Sequence, residues 1–279
     1  MPIYSPLRYP GGKRWLAPFV QQILQTNDLL GGTYVEPYAG GAGIALELLF
    51  SQSVGNIIIN DADRAVWAFW NAVLNYTDEL CRLIHDTPIN IASWNCQKQV
   101  QQDPNSEDLQ LGFSTFFLNR TNVSGVLNGG VIGGREQKGK YLINARYNPE
   151  ALIERIRRIS ELSAQITLFN MDCVEFIDQI TPDLEERALI YFDPPYYVKG
   201  SRLYRNSYND QDHVEIAALL RRLNISWLVS YDNTASILEL YQGLPQLICE
   251  IRYSARNHCL SNEVIFSSPS LNIPARENC

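Results

Sequence analysis

The chain has 279 residues, of which 46% are hydrophobic and 19% charged, a composition typical of a folded globular protein with no long disordered share. The formal net charge of −7 gives no overall basic footprint of the kind usual for nucleic-acid binders. The six cysteines include no close Cys-x-x-Cys pair, which argues against a zinc cluster and a disulfide framework.

The amino terminus lacks the charged segment and apolar run of a signal peptide, and no stretch of the sequence approaches the length of a membrane span. We therefore expect a cytoplasmic protein with no membrane partner.

Short apolar runs alternate with longer helical patterns along the chain. Strands are predicted at 33–35, 56–59, 166–169, 188–192 and 226–230, and helices at 44–50, 62–74, 149–162 and 210–223. This alternation is typical of βαβ units and a largely parallel sheet. Two last runs, 246–253 and 263–268, predict an antiparallel hairpin at the sheet edge.

An acidic residue follows each of the five parallel strands closely: Glu36, Asp61, Asp172, Asp193 and Asp232. Ligands of open α/β sheets bind outside the carboxyl ends of the strands, so these acids are expected to gather around one crevice. Each acid taken alone could instead cap the helix that follows its strand, and Asp63 is interpreted as a helix-capping or a surface residue. Five acids at one sheet edge favour a binding site.

The segment Pro6-Leu7-Arg8-Tyr9-Pro10-Gly11-Gly12-Lys13 precedes the first strand. A bare Gly-Gly-Lys is common in loops of no function. Before a helix, however, it offers backbone N–H groups and a cation that suit a cofactor carboxylate.

A glycine-rich turn, Glu36-Pro37-Tyr38-Ala39-Gly40-Gly41-Ala42-Gly43, joins the first strand to the next helix. Such turns let a ligand approach the backbone closely. The chain has neither the dinucleotide-binding pattern G-x-G-x-x-G nor a phosphate loop. Asp61, at the end of the second strand, is suited to bind ribose hydroxyls.

Residues 113–148 break the βαβ rhythm and are rich in Gly, Asn and basic side chains. The stretch is too long for an ordinary connection, which indicates a functional insertion or a disordered loop, and its interleaved aromatic residues favour an ordered one. Residues 119–158 carry eight basic and three acidic side chains, so this segment is net +5 and the remainder net −12. The candidate contacts to phosphates or guanine edges are Arg120, Arg135, Lys138, Lys140 and Arg146; the alternative is a solvated charged loop.

The most specific motif is Asp193-Pro194-Pro195-Tyr196, directly after the apolar strand 188–192. It could be only a stiff polar turn. Chemistry explains each position better: a carboxylate and a proline carbonyl can each accept one hydrogen of an adenine amino group, freeing its lone pair, while Tyr196 stacks on the base. The adenine must be flipped out of a duplex to enter such a pocket, and no metal is needed.

In the order and content of these motifs, residues 6–268 resemble the Dam-like, or D12, class of adenine-N6 DNA methyltransferases. The resemblance implies a Rossmann-like seven-stranded α/β sheet and S-adenosylmethionine as methyl donor. It also implies a target-recognition domain, expected to be mostly helical and loop-rich, inserted at 76–164 between catalytic segments 1–75 and 165–279. It implies catalysis by Asp193, Pro194, Pro195 and Tyr196, and cofactor contacts at Tyr9, Lys13, Asp61 and Asp193, with Asp172 near the cofactor adenine. The glycine-rich turn adds Glu36, Pro37, Gly40 and Gly43 to the candidate cofactor site.

Two departures from the family pattern stand out. Tyr38 replaces the commoner Phe, a change expected to be harmless, and Gly129–Gly134 stands where relatives that methylate GATC carry an F-N-V-P-F-G-like stretch. GATC specificity is therefore not carried over. The predicted partner is double-stranded DNA, bound by a monomer; a cognate restriction endonuclease remains open.

Other enzymes and non-enzymes fit less well. Cytosine-N4 and glutamine methyltransferases tend to carry Ser or Asn in place of Asp193, whereas an RNA substrate remains open. A catalytically dead DNA-binding protein is disfavoured because Lys13, Asp193 and Tyr196 are intact. An NAD-dependent oxidoreductase rests on fold analogy alone.

Overall fold

The protein is described by a computed structural model that covers residues 3–8, 12–197, 208–252 and 260–274. Its centre is a seven-stranded sheet in the order β3-β2-β1-β4-β5-β7-β6. The strands are β1 Thr33–Glu36, β2 Asn56–Asn60, β3 Ile166–Phe169, β4 Ala188–Phe192, β5 Ser226–Asp232, β6 Gln246–Arg252 and β7 Leu260–Ser267. All pairings among β1 to β5 are parallel, and β7 is antiparallel to β5 and to β6.

The predicted Rossmann-like sheet and its antiparallel edge hairpin are therefore confirmed. The order reverses around β1, whose neighbours are β2 on one side and β4 on the other. In sheets of this kind the crevice at the reversal point is where ligands bind.

Helices cover both faces of the sheet. They are α1 Ala17–Thr26, α2 Gly43–Phe50, α3 Arg64–Asn75, α4 Thr77–Asp86, α5 Ile91–Gln102, α6 Asp108–Thr121, α7 Pro149–Ser160, α8 Cys173–Ile180, α9 Asp210–Arg222 and α10 Ala235–Leu240. Alternate strand residues enter two separate cores: Leu189 and Tyr191 of β4 join the core with α1, α2 and α3, and Ile190 joins the core with α8, α9 and α10. This alternation is the period of a strand buried on both faces.

The start of the glycine- and asparagine-rich stretch 113–148 is helical. Its first nine residues complete α6, and Phe113, Phe116 and Phe117 are fully buried in the same core as the sheet. Gly112 lets α6 cross α3 closely, because a Cβ there would lie 2.4 Å from the carbonyl oxygen of Ala68. The irregular part begins at Asn122.

Among the residues that the structure describes, no helix combines the length and apolar character that crossing a membrane requires.

Candidate active site

A cavity of about 780 Å³ opens at the carboxyl ends of the central strands. Gly40 and Gly43, from the turn after β1, line it together with Asp193, which directly follows β4. Because β1 and β4 are adjacent at the reversal point, their carboxyl ends deliver both motifs to one place. The volume lies within the range of sites for cofactors and other small molecules.

Lys13 is the most deeply buried charge in this cavity, with a side chain only 1% exposed. Its Nζ lies 2.7 Å from the Asp193 carboxylate, 3.0 Å from Glu263 and 2.8 Å from the Ser230 hydroxyl, to which it donates. An ammonium group has three hydrogens, and these three acceptors match that number. The ammonium group therefore acts as a counter-ion between two carboxylates from different strands.

Glu263, on β7, also holds Tyr196. The Tyr196 hydroxyl donates to Glu263 Oε1 at 2.7 Å, and the ring centroid of Tyr196 lies 5.1 Å from Lys13 Nζ. Ser230, on β5, contacts Asp193 at 3.4 Å and the Tyr191 hydroxyl at 2.6 Å. Strands β5 and β7 thus brace the turn that carries the Asp-Pro-Pro-Tyr motif.

Burial and neighbouring charges have opposite effects on the pKa values of Lys13 and Asp193. Burial disfavours the charged form of Lys13, but Asp193 and Glu263 outweigh it and raise the pKa of the ammonium group. Burial also raises the pKa of Asp193 above its ordinary value, a shift that Lys13 opposes and Glu263 reinforces. Asp193 is 26% exposed through the cavity, so it is the member of the cluster that a ligand can reach.

The glycine-rich turn is held by two acids, the buried Glu36 and the partly buried Asp61. Asp61 accepts the backbone N–H groups of Gly40 and Asp63, both at 2.9 Å, and Glu36 accepts that of Ala45 at 3.0 Å. Burial raises the pKa of Asp61 to about 7 and that of Glu36 to about 8, although these hydrogen bonds lower both. Both acids line the cavity beside the glycines.

The remaining cofactor candidates have mainly structural contacts. The carbonyl of Pro37, which is not part of the cavity wall, accepts a hydrogen bond from the Asn60 side chain at 3.0 Å. Asp172 lines the cavity and also caps α8, where it accepts the N–H of Val174 at 2.8 Å. Asp63 caps α3 through the N–H of Ala65, as predicted.

Four of the five strand-end acids gather around the cavity, and the expectation was wrong for the fifth. Asp232 does not line the cavity. Its carboxylate accepts the backbone N–H of Tyr197 at 3.0 Å and so stabilises the turn that follows Asp193. The Tyr38 hydroxyl, which the commoner Phe would lack, lies within hydrogen-bond distance of the Tyr208 hydroxyl, at 2.8 Å. Both tyrosines line the cavity.

The five candidate DNA contacts divide into two groups. Arg120 and Arg146 line the cavity, and the Arg120 guanidinium donates to the Arg146 carbonyl at 2.7 Å. Arg135, Lys138 and Lys140 are exposed on the loop after α6, where Arg135 lies 5.7 Å from the Trp94 ring centroid and Lys138 pairs with Glu136 at 2.7 Å. Tyr9, also predicted to contact the cofactor, falls outside the described residues.

Sequence reasoning missed Ser230 and Glu263 at the catalytic turn. The available signal for Glu263 was its place directly before the apolar run Val264-Ile265-Phe266, because a charge buried in a strand requires a partner. Within the described part of the chain, no three His, Cys, Asp or Glu side chains converge as a metal site would require. The expectation of a metal-free reaction stays a prediction.

Comparison with known proteins identifies the sequence family. The sequence model of the family described as "D12 class N6 adenine-specific DNA methyltransferase" matches residues 9–255. The type II methyltransferase M.MjaIII of Methanocaldococcus jannaschii is 23% identical over 239 residues, which cover 78% of this chain and 79% of the relative.

Two solved structures are also similar over most of the chain. The Escherichia coli protein yhhF has 13% identity and a TM-score of 0.32, with 91% of this chain and 80% of that chain covered. The SAM-dependent methyltransferase from Agrobacterium tumefaciens has 9% identity and a TM-score of 0.37, with 90% of this chain and 59% of that chain covered.

Proposed function

The chain belongs to the D12 class of N6 adenine-specific DNA methyltransferases, and from this premise we propose that it methylates an adenine flipped out of double-stranded DNA at a specific sequence. The methyl donor of this enzyme class is S-adenosylmethionine. The observation that carries the finer proposal is the Asp193 carboxylate, which faces the same cavity as the glycine-rich turn.

The cavity fits the cofactor in size and in charge. S-adenosylmethionine carries a sulfonium, an ammonium and one carboxylate, so it is a net cation. The wall beside Gly40 and Gly43 carries Asp61 and Asp172, and Asp61 is mainly ionised above about pH 7, which favours a cationic ligand. We assign the cofactor to this wall, with Asp61 accepting from its ribose hydroxyls and Asp172 near its adenine.

Lys13 takes a different role from the one that its motif first indicated. Its ammonium group already contacts Asp193, Glu263 and Ser230, so we assign it to hold the Asp193 carboxylate rather than to bind the cofactor carboxylate. Tyr9, which the resemblance also assigns to the cofactor, remains a candidate contact.

Asp193 and the Pro194 carbonyl are assigned to the target amino group. Each accepts one N–H of adenine, which draws the nitrogen toward tetrahedral geometry and frees its lone pair. When bound, the cofactor supplies an electrophilic methyl group on its sulfonium. As the N6–carbon bond forms, the carbon–sulfur bond breaks with its electron pair going to sulfur, and Asp193 accepts the proton that N6 releases.

Tyr196 and Pro195 complete the base pocket in this proposal. Glu263 fixes the Tyr196 hydroxyl, so the ring has a defined position on which a base can stack. Pro195 lines the cavity and stiffens the turn. Positioning of this kind supplies a large part of the rate of a bimolecular reaction.

We assign target recognition to the inserted region 76–164. Its exposed cations Arg135, Lys138 and Lys140 are suited to the DNA surface, and Arg120 and Arg146 lie where the insertion meets the cavity. This region shares its hydrophobic core with the sheet, so it is positioned rigidly relative to the catalytic turn.

The test is methyl transfer from labelled S-adenosylmethionine to unmethylated genomic DNA, followed by nucleoside analysis and single-molecule mapping of the modified bases. N6-methyladenine within one recurring sequence is expected. Transfer only to RNA in a parallel reaction, or transfer to cytosine, would overturn the assignment. The mapped sequence then allows a restriction endonuclease of the same specificity to be tested as a partner.

A further inference from the structure

Four arginines line one part of the catalytic cavity. They come from four separate segments: Arg8 from the amino-terminal segment, Arg120 from α6, Arg146 from the turn before α7 and Arg155 from α7. We call these four residues the arginine cluster. Such a convergence of like charges is unfavourable unless a ligand of opposite charge compensates it.

None of the four forms an ion pair with any described residue. Three of the guanidinium groups donate to backbone carbonyls: Arg8 to Asn122, Arg120 to Arg146 and Pro6, and Arg155 to Ser5. The guanidinium of Arg146 lies 5.9 Å from the ring centroid of Tyr141. The other basic side chains of the cavity differ, since Lys13 pairs with Asp193 and Glu263, and Arg14 pairs with Glu47 at 3.1 Å. The cluster therefore keeps its charge available for a ligand.

The charges are also close enough to disturb one another. Burial lowers the pKa of Arg120 to about 10, with further lowering from Arg8, Arg155 and Arg146, and burial together with Arg146 lowers the pKa of Arg8. A bound anion would relieve this repulsion.

Backbone contacts between the amino-terminal segment and the insertion fix the position of Arg8 in the arginine cluster. The Asn119 side chain accepts the backbone N–H of Arg8 at 2.7 Å and donates to its carbonyl at 3.0 Å. Gly125 has a φ of +78° and approaches the same carbonyl so closely that a Cβ would lie 2.2 Å from it. These contacts fix the amino-terminal segment against the insertion and bring Arg8 beside Arg120.

We infer that the arginine cluster binds the DNA backbone phosphates next to the flipped adenine. This inference rests on the proposed function. Guanidinium groups suit phosphate oxygens, and phosphate contacts fix the register of the strand without reading its sequence. Asp61 and Asp172, which line the same cavity, suit the cationic cofactor, so the cavity offers residues of opposite charge to its two ligands. The competing occupant is the single carboxylate of the cofactor, but that ligand is a net cation which four arginines would repel.

The experiment compares Arg8→Gln and Arg155→Gln with Arg157→Gln, an exposed arginine on α7 outside the cavity wall. The affinity for a short unmethylated duplex that carries the mapped sequence is measured over a series of salt concentrations. Each lost phosphate contact is expected to reduce the slope of log affinity against log salt by about 0.9. S-adenosylmethionine affinity, measured by calorimetry without DNA, should stay within about twofold of wild type, and Arg157→Gln should change neither quantity.

A loss of cofactor affinity with an unchanged salt slope would overturn the inference, because it would give the cluster to the cofactor carboxylate. Wild-type slopes in both cluster variants would overturn it as well. Melting temperatures establish that the variants are folded. If the wild-type protein transfers no methyl group to DNA, the proposed function itself fails; if it does and the slopes do not change, only the inference about the cluster fails.

Discussion

The ammonium group of Lys13 lies 2.7 Å from the carboxylate of Asp193 at the carboxyl end of the sheet, where Lys13 is buried and Asp193 is partly buried. Asp193 is thus positioned by a counter-ion that the chain supplies from a segment 180 residues earlier. Because the same ammonium group also contacts Glu263, it keeps a partner when Asp193 is removed. Loss of Asp193 should therefore affect chemistry more than folding.

Asp193→Ala is expected to lower kcat for DNA methylation by about 100-fold or more, since the acceptor for the amino group and its proton is gone. The melting temperature should change little. Asp63→Asn is the matched control: it alters another acid of the cavity wall but keeps a side chain that caps α3 well. Retention of most of the activity by Asp193→Ala would contradict the amino-group mechanism.

Glu263→Gln is expected to shift the acidic limb of the pH–kcat profile to lower pH. Glu263 raises the pKa of Asp193 by its charge, so removing that charge lowers this pKa and leaves Asp193 ionised in more acidic solution. The amide oxygen can still accept from Tyr196. A purely structural role for Glu263 would lower kcat without moving the limb, and that outcome would be evidence against electrostatic control of Asp193.

Tyr196→Phe and Tyr196→Ala separate the ring from the hydroxyl. The Phe variant loses one hydrogen bond to Glu263 and should lose about tenfold or less in kcat/KM. The Ala variant also loses stacking on the base, which contributes about 1 to 3 kcal/mol in comparable sites, and should be weaker still. Equal losses in the two variants would show that the ring does not stack on the target.

The strands of the sheet could be predicted because each is visible as a pattern among a few neighbouring residues. A strand such as Ala188–Phe192 is a continuous apolar run, as expected for a strand buried on both faces. The position of Asp193 follows directly from it. The grouping of Asp193 with Asp61 and the glycine-rich turn then follows from the topology of parallel strands.

The same patterns failed for α6 and for the partners of Lys13. Ser114, Thr115, Asn119 and Thr121 are buried polar residues of α6, so this helix shows no apolar stripe of the kind that identifies a surface helix. Their hydroxyl and amide groups bond to nearby carbonyls, for example Ser114 to Gln97 at 2.7 Å. Glu263 and Ser230 meet Lys13 only through long-range strand pairing, which no local pattern encodes.

Asp61→Asn tests the proposed ribose contact. The pKa of Asp61 is about 7, so in the free protein this group is mainly protonated below that pH and mainly ionised above it. An ionised acceptor binds hydroxyls more strongly, so wild-type affinity for S-adenosylmethionine should rise as pH passes through about 7. The variant should bind about tenfold more weakly and lack this rise in calorimetric titrations. Asp178→Asn, at an exposed acid that pairs with Arg222 outside the cavity wall, is the control, and an unaltered pH dependence in Asp61→Asn would exclude the assignment.

Glu36 should make the free protein less stable in alkaline solution. Burial raises its pKa from 4.5 to about 8, so between these values the folded state holds a proton that the unfolded state has released. The free energy of unfolding therefore falls as pH rises through this window, by about 1.36 kcal/mol for each unit between the two pKa values. Asp61 contributes in the same direction up to about pH 7.

Glu36→Gln isolates this effect, because it removes the titrating group and keeps an oxygen that can accept from the N–H of Ala45. Melting temperatures are compared without cofactor from about pH 6 to about pH 9. Wild type should lose stability over this range more steeply than the variant, whose remaining slope belongs to Asp61 and other groups. Parallel curves for the two proteins would mean that Glu36 is already ionised in the fold, and its burial would then have to be compensated by a cation rather than by a proton.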